Sequence, residues 1–468
     1  MLTGATTTGR TRALAGSLSV VSLALAASYA AVLVVLLPNQ VAGIDPSRKV
    51  ENLALVTTVS FVVAIASQPL VGALSDRTRS RYGRRVPWMV GGALVSAAAL
   101  FAMGGAGSLV LLGALWVVAQ FALNAVDVAS SAVVPDEVPP SRRGRVLAVV
   151  GAGGVLGGGA AVVLAGPRAD QPGTVYLGLG LCVLVATAVF AVGARARPVS
   201  VPASRAPASG RPSPDGPAQG GKPALRGGRA IPAVVRLVVA PWRTQAFTRT
   251  FVARFFFVFA YHLVFAYQLF ILTDHVGLGT DEANRAIGAL TVVGLLSVLV
   301  GITVTGWLSD RTGDRIPYLV GACGLLAVSF FVPLGSPTVA GMAVFAALRG
   351  LAFGAHLAAS SALVTEVLPD GGASAGKDLG LYNMATNIPQ AVAPAVAAVV
   401  IARLGGYPAL FVTASVAAVV ALVGALLVRR ARASGAPGPA AGLDHDARHG
   451  TAAAGEAEAP GRTDPVDA

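Results

Sequence analysis

Charge is what this 468-residue chain has least of: Asp, Glu, Lys and Arg make up 12% of it, against ~25% in soluble domains. Hydrophobic residues fill 54%. A water-soluble fold of that length would lack the polar surface to cover itself, so the chain reads as an integral membrane protein. Cysteine is nearly absent. The two present, Cys182 and Cys323, lie inside apolar runs, which excludes a disulfide framework and offers no metal site. No Gly-Lys-Ser/Thr phosphate loop occurs, so ATP hydrolysis is excluded as a driving force. No nucleophile–base pair points to an enzyme, and no cofactor is expected. The net charge of +13 falls asymmetrically around apolar segments, as membrane topology requires, so nucleic acid is not an expected partner.

What is present is repetition. Gly72-Ala-Leu-Ser-Asp-Arg-Thr78 returns as Gly306-Trp-Leu-Ser-Asp-Arg-Thr312, about half a chain later. Ala129-Ser-Ser-Ala-Val133 likewise echoes in Ala359-Ser-Ser-Ala-Leu363. A repeat in an apolar chain is a mark of secondary transporters, whose halves rock around a shared central site.

A membrane crossing needs about 20 mostly apolar residues. Twelve segments qualify, at roughly 13–37, 51–74, 87–105, 108–134, 145–166, 174–194, 247–273, 285–308, 317–335, 338–364, 379–403 and 408–428. The first follows Arg10 and Arg12 like a secretory signal, but it is longer than a ~7–15-residue signal core and is read as a retained helix. The expected fold is therefore all-α: twelve transmembrane helices in two pseudo-symmetric six-helix bundles, 1–194 and 247–430. A Pro/Gly-rich cytoplasmic linker (195–246) joins them, and a disordered cytoplasmic tail (431–468) follows. Most of the 35 basic residues fall on the side of the termini and linker. Arg48, Lys49, Arg168, Arg285 and Arg403 fall on the other, and Arg249, Arg254 and Arg349 lie within segments. That bias puts both termini in the cytoplasm and the chain in the plasma membrane as a multi-pass protein.

Six plus six helices split by an inner loop resemble the major facilitator superfamily. Gly72-Ala-Leu-Ser-Asp-Arg-Thr-Arg-Ser-Arg-Tyr-Gly-Arg-Arg-Val-Pro-Trp88 is similar to its signature loop between helices 2 and 3. The Ser-Arg-Tyr-Gly-Arg-Arg-x-Pro form resembles the glycoside and sucrose cation-symporter branch. So do Pro135-Asp-Glu-Val-Pro-Pro-Ser-Arg-Arg-Gly-Arg145, Lys377-Asp-Leu-Gly380, Asn387-Ile-Pro-Gln390 and Leu404-Gly-Gly-Tyr-Pro-Ala-Leu-Phe411. After Thr312 the second loop departs, running Gly-Asp-Arg-Ile-Pro without the Gly-Arg-Arg end. The likeness implies a conformational latch of Gly72, Asp76, Arg77, Gly306, Asp310, Arg311, Arg143 and Asp378. In it Asp76 meets the start of helix 11 near Lys377 and Asp378, and Asp310 meets helix 5 near Arg142 and Arg143. Gly72 is expected to allow close helix approach.

Ionisable groups inside spans cost ~3 kcal/mol at a helix centre and are functional candidates by default. Asp127, Arg254 and His356 each lie about seven to nine residues from the cytoplasmic end of their helix, in one layer at ~1.5 Å per residue. Helices 1, 4, 7 and 10 line the cavity in the fold that the resemblance implies. A carboxylate meeting an arginine and a histidine there would suit proton coupling. A permanent Asp127–Arg254 ion pair, and packing roles for His262 and His356, are the plainer alternatives. Gln120, Asn124, Asp127 and Ser131 form one polar stripe on helix 4, and Asn383, Asn387 and Gln390 another on helix 11. Tyr261 and Gln268 join from helix 7. Arg349 could meet an anionic or hydroxyl-rich substrate, or pair with helix 4. Gln120, Asn124, Tyr261, Gln268, Arg349, Asn383 and Asn387 are thus candidate substrate ligands, suited to a sugar or polyol, or else plain helix–helix hydrogen bonds. Gly153-x-x-x-Gly157 and Gly154-x-x-x-Gly158 read as close helix packing. The expected function is proton-coupled transport of a sugar or related polar solute by a monomer in the bilayer. Proton-driven export of hydrophobic or cationic compounds is the alternative.

Overall fold

In the computed structural model, residues 2–195, 245–367 and 375–433 are described, and every regular element among them is helical. The linker residues 196–244 and the tail from 434 lie outside that set. Twelve helices are long and apolar enough to cross a bilayer. They are α1 (Thr11–Ile44), α2 (Pro46–Arg77), α3 (Val86–Met103), α4 (Leu109–Glu137), α5 (Pro140–Arg168) and α6 (Pro172–Gly193) in the first half. The second half holds α7 (Thr248–Phe265), α8 (Thr280–Thr312), α9 (Ile316–Gly335), α10 (Val339–Ser360), α11 (Asn383–Arg403) and α12 (Gly406–Arg430). Both signature loops follow an even-numbered span, so they share the end of the bundle that carries the termini. We call this the proximal end, and the opposite one distal.

The loops repeat in detail as well as in sequence. Ser75 and Ser309 each donate to the carbonyl three residues back, Gly72 and Gly306, at 3.0 Å. Each Thr ending the heptapeptide meets the aromatic residue that follows the loop proline: Trp88 Nε1 donates to Thr78 at 2.8 Å, and Tyr318 shares a bond with Thr312 at 3.2 Å. Gly313 has φ 67°, a left-handed cap that ends α8 where a side chain would be strained. The proline at position N1 or N2 then starts α3 and α9, where its missing N–H has no helical partner to lose.

Two helices are irregular. In α1 a π-turn spans Val32–Leu36, with Leu37 N–H reaching Val32 O, directly before Pro38. Proline cannot donate to the preceding turn, and the wider turn accommodates that break. The expected continuous helix over 247–273 is interrupted: α7 stops at Phe265, Ala266 and Tyr267 form a turn, and a short helical stretch runs on to His275. Tyr267 anchors the break. Its hydroxyl donates to Pro394 O at 2.8 Å, a carbonyl within the twice-proline-interrupted α11.

Within each half, glycine brings backbones into contact. A Cβ at Gly153 or Gly157 on α5 would collide with the Ser19 or Leu23 backbone of α1. On α10, Gly350 and Gly354 press on the Gly294 and Val298 carbonyls of α8, and a Cβ at Gly301 would lie 2.5 Å from Leu351 O. The expected tight approach at the signature glycines is not found. A Cβ at Gly72 would meet Val128 at an ordinary 4.0 Å, and one at Gly306 would meet nothing within 4 Å. Both glycines lie in the last two turns of their helices, with space around them. Between the halves α2 packs on α11 and α5 on α8.

Candidate transport site

A cavity of about 440 Å³ opens between the halves, lined from α1, α2, α4, α5, α7 and α11. That is large enough for a small solute. Its polar wall comprises Tyr29, Gln68, Gln120, Asn124, Asp127, His262, Asn387 and Gln390. The helical stripe on α4 does what its spacing suggests, putting Gln120, Asn124 and Asp127 on one wall. Asn124 Nδ2 donates to Gln120 O at 2.8 Å, and Gln120 Oε1 is buried without a partner. Asp127 faces the cavity, and among the described residues no cation lies within 4 Å of its carboxylate.

Of the anticipated Asp127–Arg254–His356 cluster, Asp127 makes no ion pair with either partner in this conformation. Arg254 donates from Nε to Thr386 at 2.9 Å and from Nη1 to Ser360 at 3.5 Å, bridging α7 to α11 and α10. His356 is 4% exposed and stacks on Phe257, with ring centroids 3.7 Å apart and planes 7° from parallel. That face-to-face stack holds the imidazole behind the cavity wall. His262 is the histidine that lines the cavity. Its Nδ1–H donates to Val258 O at 2.9 Å, which leaves Nε2 for the interior.

A second cavity of about 180 Å³ adjoins the first, with Ala30, Gly158 and Phe265 in both linings. Tyr261, Gln268, Thr291 and Arg349 are its polar residues. The Arg349 guanidinium lies over Tyr261 at 4.7 Å and Phe345 at 5.3 Å. Asn383 is exposed and lines neither cavity. Tyr29 and Gln68 were not anticipated. Their signal was available, since each is a polar side chain inside an otherwise apolar run of α1 or α2.

At the proximal end the latch residues pair differently from the expectation. Asp76 meets Arg85 at 2.7 Å and Arg84 at 4.0 Å, and these arginines also hold Asp136 at the end of α4, at 3.2 and 2.6 Å. The cluster stays within the first half. Arg143 donates to Pro135 O and Val138 O rather than meeting Asp310, because the last carbonyls of α4 have no helical donors and attract a cation. Arg311 lies over Trp307 at 3.8 Å, while Arg77 and Asp310 are exposed. The side chain of Asp378, and so the anticipated contact with α11, lies outside the described residues.

The distal end is where the halves join. Asn39 and Asn284 exchange amide hydrogen bonds at 2.8 and 3.0 Å, Lys49 pairs with Asp274 at 2.7 Å, and Tyr267 reaches Val50 O at 3.4 Å. These hydrogen bonds and this ion pair between the halves all lie at the distal end.

Twelve spanning helices in two six-helix halves, closed at one end around a central cavity, define a secondary-transporter fold. The sequence matches the Major Facilitator Superfamily over residues 16–371 and 282–460, and the chain belongs to that family. Among solved structures it resembles a bacterial homolog to the human lysosomal transporter Spinster, in an inward-facing and unoccupied conformation. The TM-score is 0.63 at 13% identity, covering 91% of this chain and 97% of that one. It is 29% identical over 144 residues to a tetracenomycin C resistance and export protein of Streptomyces glaucescens, covering 31% of this chain. A stretch of 26 residues, 6% of this chain, is 69% identical to an uncharacterized symporter of Synechocystis. The matches span only 26% and 5% of those two relatives' lengths.

Proposed function

We propose that this chain is a proton-coupled secondary transporter of a small polar solute, a sugar or related compound, with Asp127 as the proton-carrying group. The observation that carries the reading is a carboxylate, without an ion pair among the described residues, facing a cavity walled by amides. Gln68, Gln120, Asn124, Asn387 and Gln390 offer both donors and acceptors, the chemistry that hydroxyl groups need. By the charge bias of its loops the proximal end is cytoplasmic, in the plasma membrane, so the conformation described here is closed outward. Ionised, Asp127 requires water or a cation; protonated, it requires neither. Rocking of the halves would bring it toward Arg254 or His356, or expose it to the other side. An unpaired charge in that layer costs several kcal/mol and so blocks the transition until the proton binds. The chain works as a monomer on this reading, with the proton gradient as its energy source.

Export of a hydrophobic compound is a second reading, favoured by the likeness to the Streptomyces tetracenomycin C export protein and by the aromatic wall of Tyr261 and Phe265. Transport by purified protein in liposomes, with imposed pH gradients of either direction, separates the two. For the coupling role the decisive variant is Asp127→Asn, which mimics the protonated state. It should lose gradient-driven accumulation and keep solute exchange, since exchange moves no net proton. Accumulation that persists in Asp127→Asn would place the proton elsewhere.

A further inference from the structure

We propose that Arg349 is the anion-binding group of the substrate site, so that the transported solute carries a carboxylate or a phosphate. This rests on the transport reading above and narrows its substrate class. Arg349 is 9% exposed, and its Nη1 is buried without a hydrogen-bond partner. Among the described residues no carboxylate lies within 4 Å of it and no hydrogen bond engages it. Its neighbours are the faces of Tyr261 and Phe345, which attract a cation and orient the planar fork while filling none of its donors. A guanidinium cannot shed its proton to escape burial, so the positive charge stays. An intramembrane cation held in this way needs an anion, and none of the described residues supplies one at this position.

The surroundings fit a ligand better than a structural ion. Arg349 lines the 180 Å³ cavity together with Gln268 and Thr291. Thr291 spends its hydroxyl proton on Ile287 O and Gln268 one amide proton on Phe265 O, so the five-donor guanidinium is the only charged donor facing that cavity among the described residues. That cavity shares Ala30, Gly158 and Phe265 with the amide-walled one. A single solute can therefore place its anionic group on Arg349 and its hydroxyls among Gln120, Asn124 and Asn387. The forked guanidinium suits a two-oxygen acceptor, bound bidentately. The proton on Asp127 and the anion on Arg349 would then cross together, one from each half of the bundle.

The test needs no transport. Thermal stability of the purified full-length protein in detergent is measured with glucuronate, with a hexose phosphate, and with glucose and sodium sulfate as controls. Wild type should be stabilised by glucuronate or the hexose phosphate, with whichever shifts more identifying the anionic group, and not by glucose or sulfate. Arg349→Gln should be at least as stable as wild type when empty, because it removes an uncompensated charge, and should bind the organic anion on the order of 10–100-fold more weakly. Arg349→Lys, which keeps the charge without the fork, should fall between. Three results would overturn the proposal: equal stabilisation by glucose, no stabilisation by either organic anion, or an anion shift that survives in Arg349→Gln. Because binding is read without a gradient, failure here leaves the Asp127 coupling test standing, and the reverse holds too.

Discussion

Removing the Asn284 side chain should open the distal end without harming the fold. Asn284 is 3% exposed, and its amide donates to Asn39 Oδ1 while accepting from Asn39 Nδ2. Alanine at 284 deletes both bonds, worth about 1 kcal/mol each in net terms. Asn39 keeps its bond to Val35 O at 2.7 Å, but its own carbonyl oxygen then sits half-buried and unpaired. In the opposite conformation water reaches that oxygen, so the loss falls on the distally closed state alone. About 2 kcal/mol corresponds to roughly a thirtyfold change in the ratio of the two states. Leu290, 7% exposed and lining the arginine-bearing cavity, is a suitable reporter. As Leu290→Cys in a background without Cys182 and Cys323, it should react with an impermeant maleimide from the distal side about thirtyfold faster when Asn284→Ala is added. The double variant Asn39→Ala, Asn284→Ala should be no more open than the single, since both lesions remove one interaction. An unchanged labelling rate would refute the reasoning and reduce the amide pair to incidental contact.

Two further outcomes follow from the geometry. Gly354→Ala and Gly301→Ala put a Cβ against the facing backbone at Val298 and Leu351, and should each cost about 1–3 kcal/mol of stability. Gly306→Ala, with open space around its Cβ, should be neutral or slightly stabilising through helix propensity. Equal melting temperatures for all three would contradict this account of the helix packing. Asp45, in the α1–α2 turn, is held below its usual carboxyl range first by the Ser47 hydroxyl, at 2.6 Å, and then by Asn52 and the Arg48 N–H. A lowered folded value stabilises the protein above the unfolded pKa of ~3.9, and that contribution is lost as pH falls through the folded one. Asp45→Asn should therefore melt below wild type at neutral pH, with the difference closing in acid. A gap that is constant across the titration would show that the charge is not what matters.

The architecture was legible because it rests on two coarse signals. Apolar length found the twelve spans, and the duplicated heptapeptide found the two halves. The echo extends to Thr78–Trp88 and Thr312–Tyr318, a level of agreement that sequence identity alone only hints at. The break in α7 was illegible, because 247–273 contains neither glycine nor proline to mark a stop. What interrupts it is a tertiary anchor, Tyr267 on Pro394 O, between residues far apart in sequence. The roles of the glycines were legible at Gly153 and Gly157, where the four-residue spacing marks a packing face. They were misleading at Gly72 and Gly306, where the signature motif suggested close approach and the space is open.

The site residues divide along the same line. Periodicity places Gln120, Asn124 and Asp127 on one wall because a single helix carries them. Pairing between helices is another matter, since it depends on rotation and on competing neighbours. Arg254 finds Thr386 and Ser360, and His356 finds the face of Phe257, before either meets Asp127.

The distribution of strong and weak contacts says how such a molecule moves. Inside the halves, α1 on α5 and α8 on α10 meet backbone to backbone through glycine, contacts that leave no room to slide. The distal seam is built from weaker parts. Two neutral amide bonds contribute about 2 kcal/mol. The Lys49–Asp274 pair, with side chains 24% and 32% exposed, adds at most about 1 kcal/mol after screening. Tyr267 to Val50 O is a long bond at 3.4 Å. The seam's polar contacts thus total about 3 kcal/mol, a bias of roughly two orders of magnitude in favour of closure. A buried ion pair in its place, worth more when broken, would fix the halves in one state. Rigid halves joined by a seam of this strength can be tipped by one proton or one solute, which is the scale of free energy that either supplies on binding.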